Sequence, residues 1–202
     1  MTIVSDDDFV RLFQERTGLG VDGWAGRETI AMLDQLAPAK AAPSGSVPDD
    51  YFPMLAQIES GNRLHVQAAT SSASGLYQFI YSTWVGEGGA WGVDAKGKPI
   101  MRPAFGGLKP DAAEQLRRAK SLAAKDAAYL KAKGVAVNKA TLYAAHFLGR
   151  LTAGAILSAD PAARADLIAG PAATKANPSI LKDKTVAQFF AWLKAKTGAA
   201  VR

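Results

Sequence analysis

Glu59 stands at the end of a mostly apolar segment, Phe52, Leu55, Ala56 and Ile58, directly before Ser60-Gly61-Asn62. Asp49 and Asp50 suit the start of a helix there and Gly61 its end. A carboxyl at that place faces the negative end of the helix dipole and apolar neighbours, and both raise its pKa. A glutamic acid still protonated near neutral pH is what protonation of a leaving-group oxygen requires. Taken alone, a glutamate at a helix end is most often an ordinary solvated group, so its surroundings decide.

A second cluster follows, S-S-A-S-G-L-Y-Q-F over Ser71–Phe79, and then Ser82-Thr83-Trp84. Small residues and Gly75 let backbone come close to a ligand. Ser74, Tyr77, Gln78 and Phe79 add hydroxyls, a flat apolar face and an amide that both donates and accepts. Sugar rings require that mix, apolar faces to stack on and groups to hydrogen-bond. Core packing is the plain alternative for Leu76 and Phe79, and is expected to hold for Leu76. The absence of cysteine excludes disulfides and thiolate metal sites, and two histidines, His65 and His146, are too few for a His-based zinc site. No metal or cofactor is expected.

Helices must hold these residues in place. Residues 6–16 predict a short helix with Phe9, Leu12 and Phe13 on one face, followed by glycine-broken turns and a second helix near 27–36. Residues 38–50, rich in Pro, Ala, Ser and Gly, read as a linker between a small block, 1–37, and a main domain, 51–202. Residues 86–110 are rich in Gly, Pro and Trp without periodicity, and such a long irregular stretch in a compact domain is usually functional. Asp111 and Glu114 form a capping box before a long helix with Leu116, Ala119, Leu122, Ala123, Ala127 and Leu130 inward, stopped at Gly134. Further helices are expected at 139–148, 152–158, 160–168 and 185–197, the last with Thr185 and Gln188 as a second capping box. Period-two runs of β-branched residues are nearly absent, so the fold class is mainly α.

The 202-residue chain carries 24 basic and 18 acidic side chains, a net charge of +6. Residues 1–37 hold three basic against seven acidic residues, and residues 38–202 hold 21 against 11. A basic body attracts a polyanion: nucleic acid, an anionic membrane surface or a bacterial wall polymer. No helix gathers Arg, Asn and Gln at base-reading positions, which disfavours nucleic acid. No apolar run approaches the ~18 residues that cross a bilayer, so no stable membrane insertion is expected. The opening MTIVSDDDFV, with three aspartates, is unlike a secretory leader.

Glu59-Ser60 followed by Gly75-Leu76-Tyr77-Gln78 resembles the soluble lytic transglycosylases, in which E-S and G-L-M-Q recur in this order and rough spacing. That family shares a lysozyme-like helical fold with goose-type lysozymes, and the resemblance covers roughly residues 51–195. A third family element, A-A-Y-N-x-G, corresponds to Ala144-Ala145-His146-Phe147-Leu148-Gly149, where the glycine matches and the tyrosine and asparagine do not. Leu142–Gly149 is more similar to the branch found in bacteriophage lysins and tail-associated wall-degrading enzymes. Either His146 or Tyr143 takes the place of the family's active-site tyrosine. In the first block, Phe13-Gln14, Gly18-Leu19 and Val21-Asp22-Gly23-Trp24-Ala25-Gly26-Arg27-Glu28-Thr29 resemble the second half of a peptidoglycan-binding helical repeat. Only two helices fit into these 37 residues where that family has three.

The resemblance implies a substrate, bacterial peptidoglycan, and a one-carboxylate mechanism. Glu59 would protonate the oxygen between N-acetylmuramic acid and N-acetylglucosamine, then act as base on the muramic C6 hydroxyl, which closes a 1,6-anhydro ring. Gln78 and the backbone near Ser74–Tyr77 would hold the sugars, with Tyr143 or His146 orienting Glu59. A hydrolytic muramidase with Glu59 as acid and Glu87 or Asp94 positioning a water is the rival within the class. A non-catalytic wall-binding or tail-assembly protein is the rival outside it. The chain is expected to be a monomer, held in a host cytoplasm until it leaves through a pore made by another protein, or carried on a virion.

Overall fold

The computed structural model describes residues 6–24, 28–29, 32 and 46–201, and the chain divides into two compact units, 1–44 and 45–202. The expected second helix near 27–36, apart from Glu28, Thr29 and Met32, and residues 38–45 of the expected linker 38–50 lie outside the described residues.

In the first unit α1 (Asp6–Thr17) is followed by a turn organised around one amide. Gln14 is buried, and its Nε2 donates to Asp22 Oδ1 at 2.7 Å and to Thr29 Oγ1 at 3.0 Å. Its Oε1 accepts from the N–H of Asp22 and of Gly23. Asp22 also accepts from Trp24 N at 2.8 Å, so its carboxylate is used in shaping the turn. Phe9 and Leu12 do not form a buried face; both are exposed.

The second unit is mainly helical, as its periodicity predicts. Among the described residues it contains α2 (Tyr51–Ser60), α3 (Tyr81–Gly86), α4 (Ala112–Ala132), α5 (Lys139–Leu148), α6 (Arg150–Leu157), α7 (Ala165–Ala176), α8 (Pro178–Leu181) and α9 (Val186–Thr197). Extended pairing there is limited to isolated bridges. At the centre lies α5, whose six consecutive residues Ala140–Ala145 are all buried. A helix apolar all round has no solvent face, and α5 is packed by α4, α6 and α9. Its start is fixed by a capping box between Asn138 and Thr141.

Two helix boundaries differ from the periodicity. Asp111 accepts from Glu114 N at 2.7 Å, the cap expected for α4, but the Glu114 carboxylate turns to Arg117 and Arg118 and does not return to the cap. The segment expected as helix 160–168 begins as a turn, with Asp160 accepting from Ala162 N at 2.7 Å. Ala165 N then bonds Lys184 O and Val186 N bonds Ala163 O, both at 2.9 Å, so these main-chain groups serve a cross-connection and the helix starts only at Ala165. At the other capping box, Thr185 and Gln188 bond reciprocally as expected.

Candidate active site

Glu59 is carried on the last turn of α2, a helix that ends abruptly. Gly61 takes a left-handed conformation, and the N–H groups of Gly61 and Asn62 return to the carbonyls of Gln57 and Ala56. Ser60 closes the end from inside, donating to Ala56 O at 2.9 Å. The last turn is thereby held rigid, and the Glu59 side chain projects into a cleft of about 530 Å³.

The opposite wall is the loop before α3. Ser74 and Phe79 exchange main-chain hydrogen bonds at 3.0 Å, which closes a tight turn over Gly75–Gln78. Gly75 sits at φ 80°, and a Cβ there would lie 2.2 Å from Gln115 Oε1 and 2.5 Å from the Phe105 ring. Glycine is therefore required both by the conformation and by the space. Gln115, fully buried on α4, latches the loop: its Nε2 donates to Leu64 O at 2.9 Å and Pro110 O at 3.0 Å, and its Oε1 accepts from Leu76 N at 2.8 Å. Phe105, buried between Trp84 and Trp91, completes the support from the irregular stretch 86–110.

Of the residues singled out from the sequence, Glu59, Gln78, Phe79 and His146 line the same cleft. Gln78 holds a positive φ of 47°, a strained conformation for a non-glycine residue, and its amide nitrogen donates to Gly75 O at 3.0 Å. What remains for a ligand is its acceptor end. Tyr143 is buried behind the cleft on α5, and its phenol faces the Glu59 carboxyl closely enough to lower the carboxyl's pKa. His146, one turn further along α5, lies by the Tyr77 main chain, and burial pushes its pKa down to about 4, so the ring is neutral near pH 7. Of the two candidates for orienting Glu59, Tyr143 makes the contact.

Ser74 and Tyr77 have other places. Ser74 is fully buried, donating to Ser72 O at 2.8 Å and accepting from Phe105 N at 3.2 Å. Tyr77 is 5% exposed and packs edge-on against Phe52. Both build the loop from behind and neither lines the cleft. Phe147 and Thr83 do line it, and Phe147 lies 5.0 Å from Trp192 of α9, in an aromatic group with Tyr143. The i, i+4 spacing of Tyr143 and Phe147 was the available sequence signal for that wall.

Burial raises the Glu59 pKa; the phenol of Tyr143 and the positive charge of Lys196 act against it. Burial outweighs both, so the net shift is upward and desolvation is its cause. Among the described residues lining the cleft, Glu59 is the only carboxylate. Glu87 is held by Ser121 at 2.6 Å and Lys125 at 2.8 Å. Asp94 accepts from Lys96 N at 2.8 Å and Lys98 N at 2.9 Å, and so belongs to its own turn. No group of three or more His, Cys, Asp or Glu among the described residues is arranged to hold a metal ion, and no helix there is long and apolar enough to cross a membrane.

A half-buried glutamate, a phenol behind it and a cleft of about 530 Å³ in front come together here, and comparison with known proteins bears on what they could do. Part of the chain is similar to a probable transglycosylase. The protein named "Probable transglycosylase SceD" from Staphylococcus aureus strains bovine RF122 / ET3-1 and MRSA252 is 45% identical over 47 residues. That stretch is 23% of this chain and 20% of each of those proteins, so the chain spans about a fifth of the length of the relatives it matches. No family model matches the chain.

Proposed function

We propose that the second unit cleaves the β-1,4 bond between N-acetylmuramic acid and N-acetylglucosamine in peptidoglycan as a lytic transglycosylase. The observation that carries this is Glu59: the sole carboxylate of its cleft among the described residues, its pKa raised by burial and the Tyr143 phenol beside it. The protonated carboxyl gives its proton to the bridging oxygen as the bond to the anomeric carbon breaks. The resulting carboxylate takes the proton of the muramic C6 hydroxyl, whose oxygen then bonds the anomeric carbon and closes the 1,6-anhydro ring. One group serves twice and no water is consumed. Gln78 and Phe147 position the sugars, Phe79 packs in the core beneath them, and the neutral His146 adds no charge to compete with the developing oxocarbenium. The partial similarity to a probable transglycosylase supports the same class.

A hydrolytic muramidase needs a second carboxylate to place water. Glu87 and Asp94, the two groups available from the sequence, are engaged elsewhere, which favours the one-carboxylate route. The basic body suits an anionic wall. We carry into the same proposal a monomeric, endolysin-like enzyme of bacteriophage type, reaching the wall by a pore or on a virion, with residues 1–37 as a wall-binding segment. Mass analysis of fragments released from purified walls tests the reaction: anhydro ends, one water lighter than hydrolysed ends, are expected, whereas reducing muramic ends would establish the hydrolase. Binding without release of any fragment would establish a non-catalytic wall protein.

A further inference from the structure

Beside the cleft lies a second hollow of about 310 Å³, and the two share Thr83, Leu122, His146 and Gly149 as a common wall. Its remaining lining includes three charged groups: Glu87 directly after α3, Asp126 on α4 and Arg150 at the start of α6. Arg150 Nε meets Asp126 Oδ1 at 3.1 Å, and Lys125 Nζ meets Glu87 Oε2 at 2.8 Å. The four lie within one another's field, since Asp126 responds to Glu87 and Lys125 as well as to Arg150. The anions are deep, with side chains 5% and 7% exposed, while the cations, at 33% and 50%, are reachable.

Two half-buried ion pairs gain little over apolar packing of the same volume, so stability alone does not account for them. Together they are neutral, yet they present both signs to one hollow. A ligand with a single charge would leave one sign unmatched, at a desolvation cost. A group with an ammonium and a carboxylate on one carbon matches both. In peptidoglycan that group occurs at the free end of a diamino acid in the stem peptide. Three extended residues span about 10 Å, and the hollow shares a wall with the cleft that would hold the sugar.

Resting on the glycan reading above, we propose that this hollow receives the amino-acid zwitterion of a stem diamino acid, ammonium toward Glu87 and Asp126, carboxylate toward Arg150. The full chain is assayed at limiting substrate on four wall preparations: stems with diaminopimelate, the same walls stripped of stems by an amidase, walls with lysine in its place, and walls with the diaminopimelate carboxyl amidated. Initial cleavage of the first is expected to exceed each of the others at least tenfold, the difference residing in KM. Exchanging both members of the deeper pair, Asp126→Asn with Arg150→Gln, is expected to bring these ratios toward one. Equal rates of the unaltered protein on all four walls would overturn the inference and leave glycan cleavage standing. Equal rates on the diaminopimelate and lysine walls would overturn the carboxylate contact, and with it the zwitterion. Cleavage of none, stripped glycan included, would overturn the reading beneath it.

Discussion

The phenol of Tyr143 faces the carboxyl of Glu59 from a helix that has no solvent-facing side over Ala140–Ala145. The acid thus projects from a helix terminus into the cleft while its partner is fixed in the centre of the fold. The phenol stabilises the ionised carboxylate and opposes the burial that raises its pKa.

That opposition gives Tyr143→Phe a defined signature. Without the phenol the Glu59 pKa rises further, so the acid form persists to higher pH. The alkaline limb of the pH–rate profile is expected to move up, with the maximal rate lowered on the order of tenfold by looser positioning. A rate loss with an unmoved limb would mean that Tyr143 only packs.

The same burial makes the fold's stability depend on pH. Folded Glu59 has a pKa above its unfolded value, as does Asp126, pushed up to about 6 from 3.8 by burial against the pull of Arg150. A carboxyl raised on folding contributes stability that is complete below the unfolded pKa and is lost as pH rises through the folded one. From Asp126 the window runs from about pH 4 to about pH 6; His146, pushed down to about 4 from 6.5, acts in the opposite sense there, so it is the denaturant midpoint of the unaltered protein relative to Asp126→Asn that is expected to fall across it. Glu59→Gln, which cannot charge, is expected to melt higher than the unaltered protein at pH 7 and alike at pH 4.

Gly75→Ala tests the loop. A Cβ at φ 80°, 2.2 Å from Gln115 Oε1, adds backbone strain to overpacking of a fixed latch. Together these cost about 2–4 kcal/mol, read as a lowered denaturant midpoint with activity falling alongside.

Asp94→Asn separates the two reaction types by another route. The carboxylate holds its own turn through two main-chain N–H groups, and the amide oxygen can retain them. Cleavage of walls is expected to continue within about twofold. Loss of a hundredfold or more, at unchanged melting temperature, would make Asp94 the second carboxylate of a hydrolase.

The end of α2 at Gly61, the capping box of α9 and the long α4 were legible from residue types a few positions apart, because caps and periodic faces are local. Gln115 was not legible. It bonds Leu64, which precedes it by 51 residues, and Leu76, which precedes it by 39, and within its own helix it looks like any polar surface residue. Ser74 and Tyr77 belong to a motif read as ligand-facing, yet a tight turn points neighbouring side chains opposite ways: Gln78 lines the cleft, while Ser74 and Tyr77 support the loop behind it. The hollow around Asp126 and Arg150 was equally hidden, since its charges come from three elements that only the packing of α4 and α6 brings together.

Clearing of a cell-wall suspension by Glu59→Gln, beside the unaltered protein, bears most directly on the claim that one protonated carboxyl drives the reaction. The variant is expected to sediment with the wall, to melt no lower than the unaltered protein at pH 7 and to clear the suspension at least a hundredfold more slowly. Clearing at the unaltered rate would show that the proton comes from elsewhere, and the account would fail.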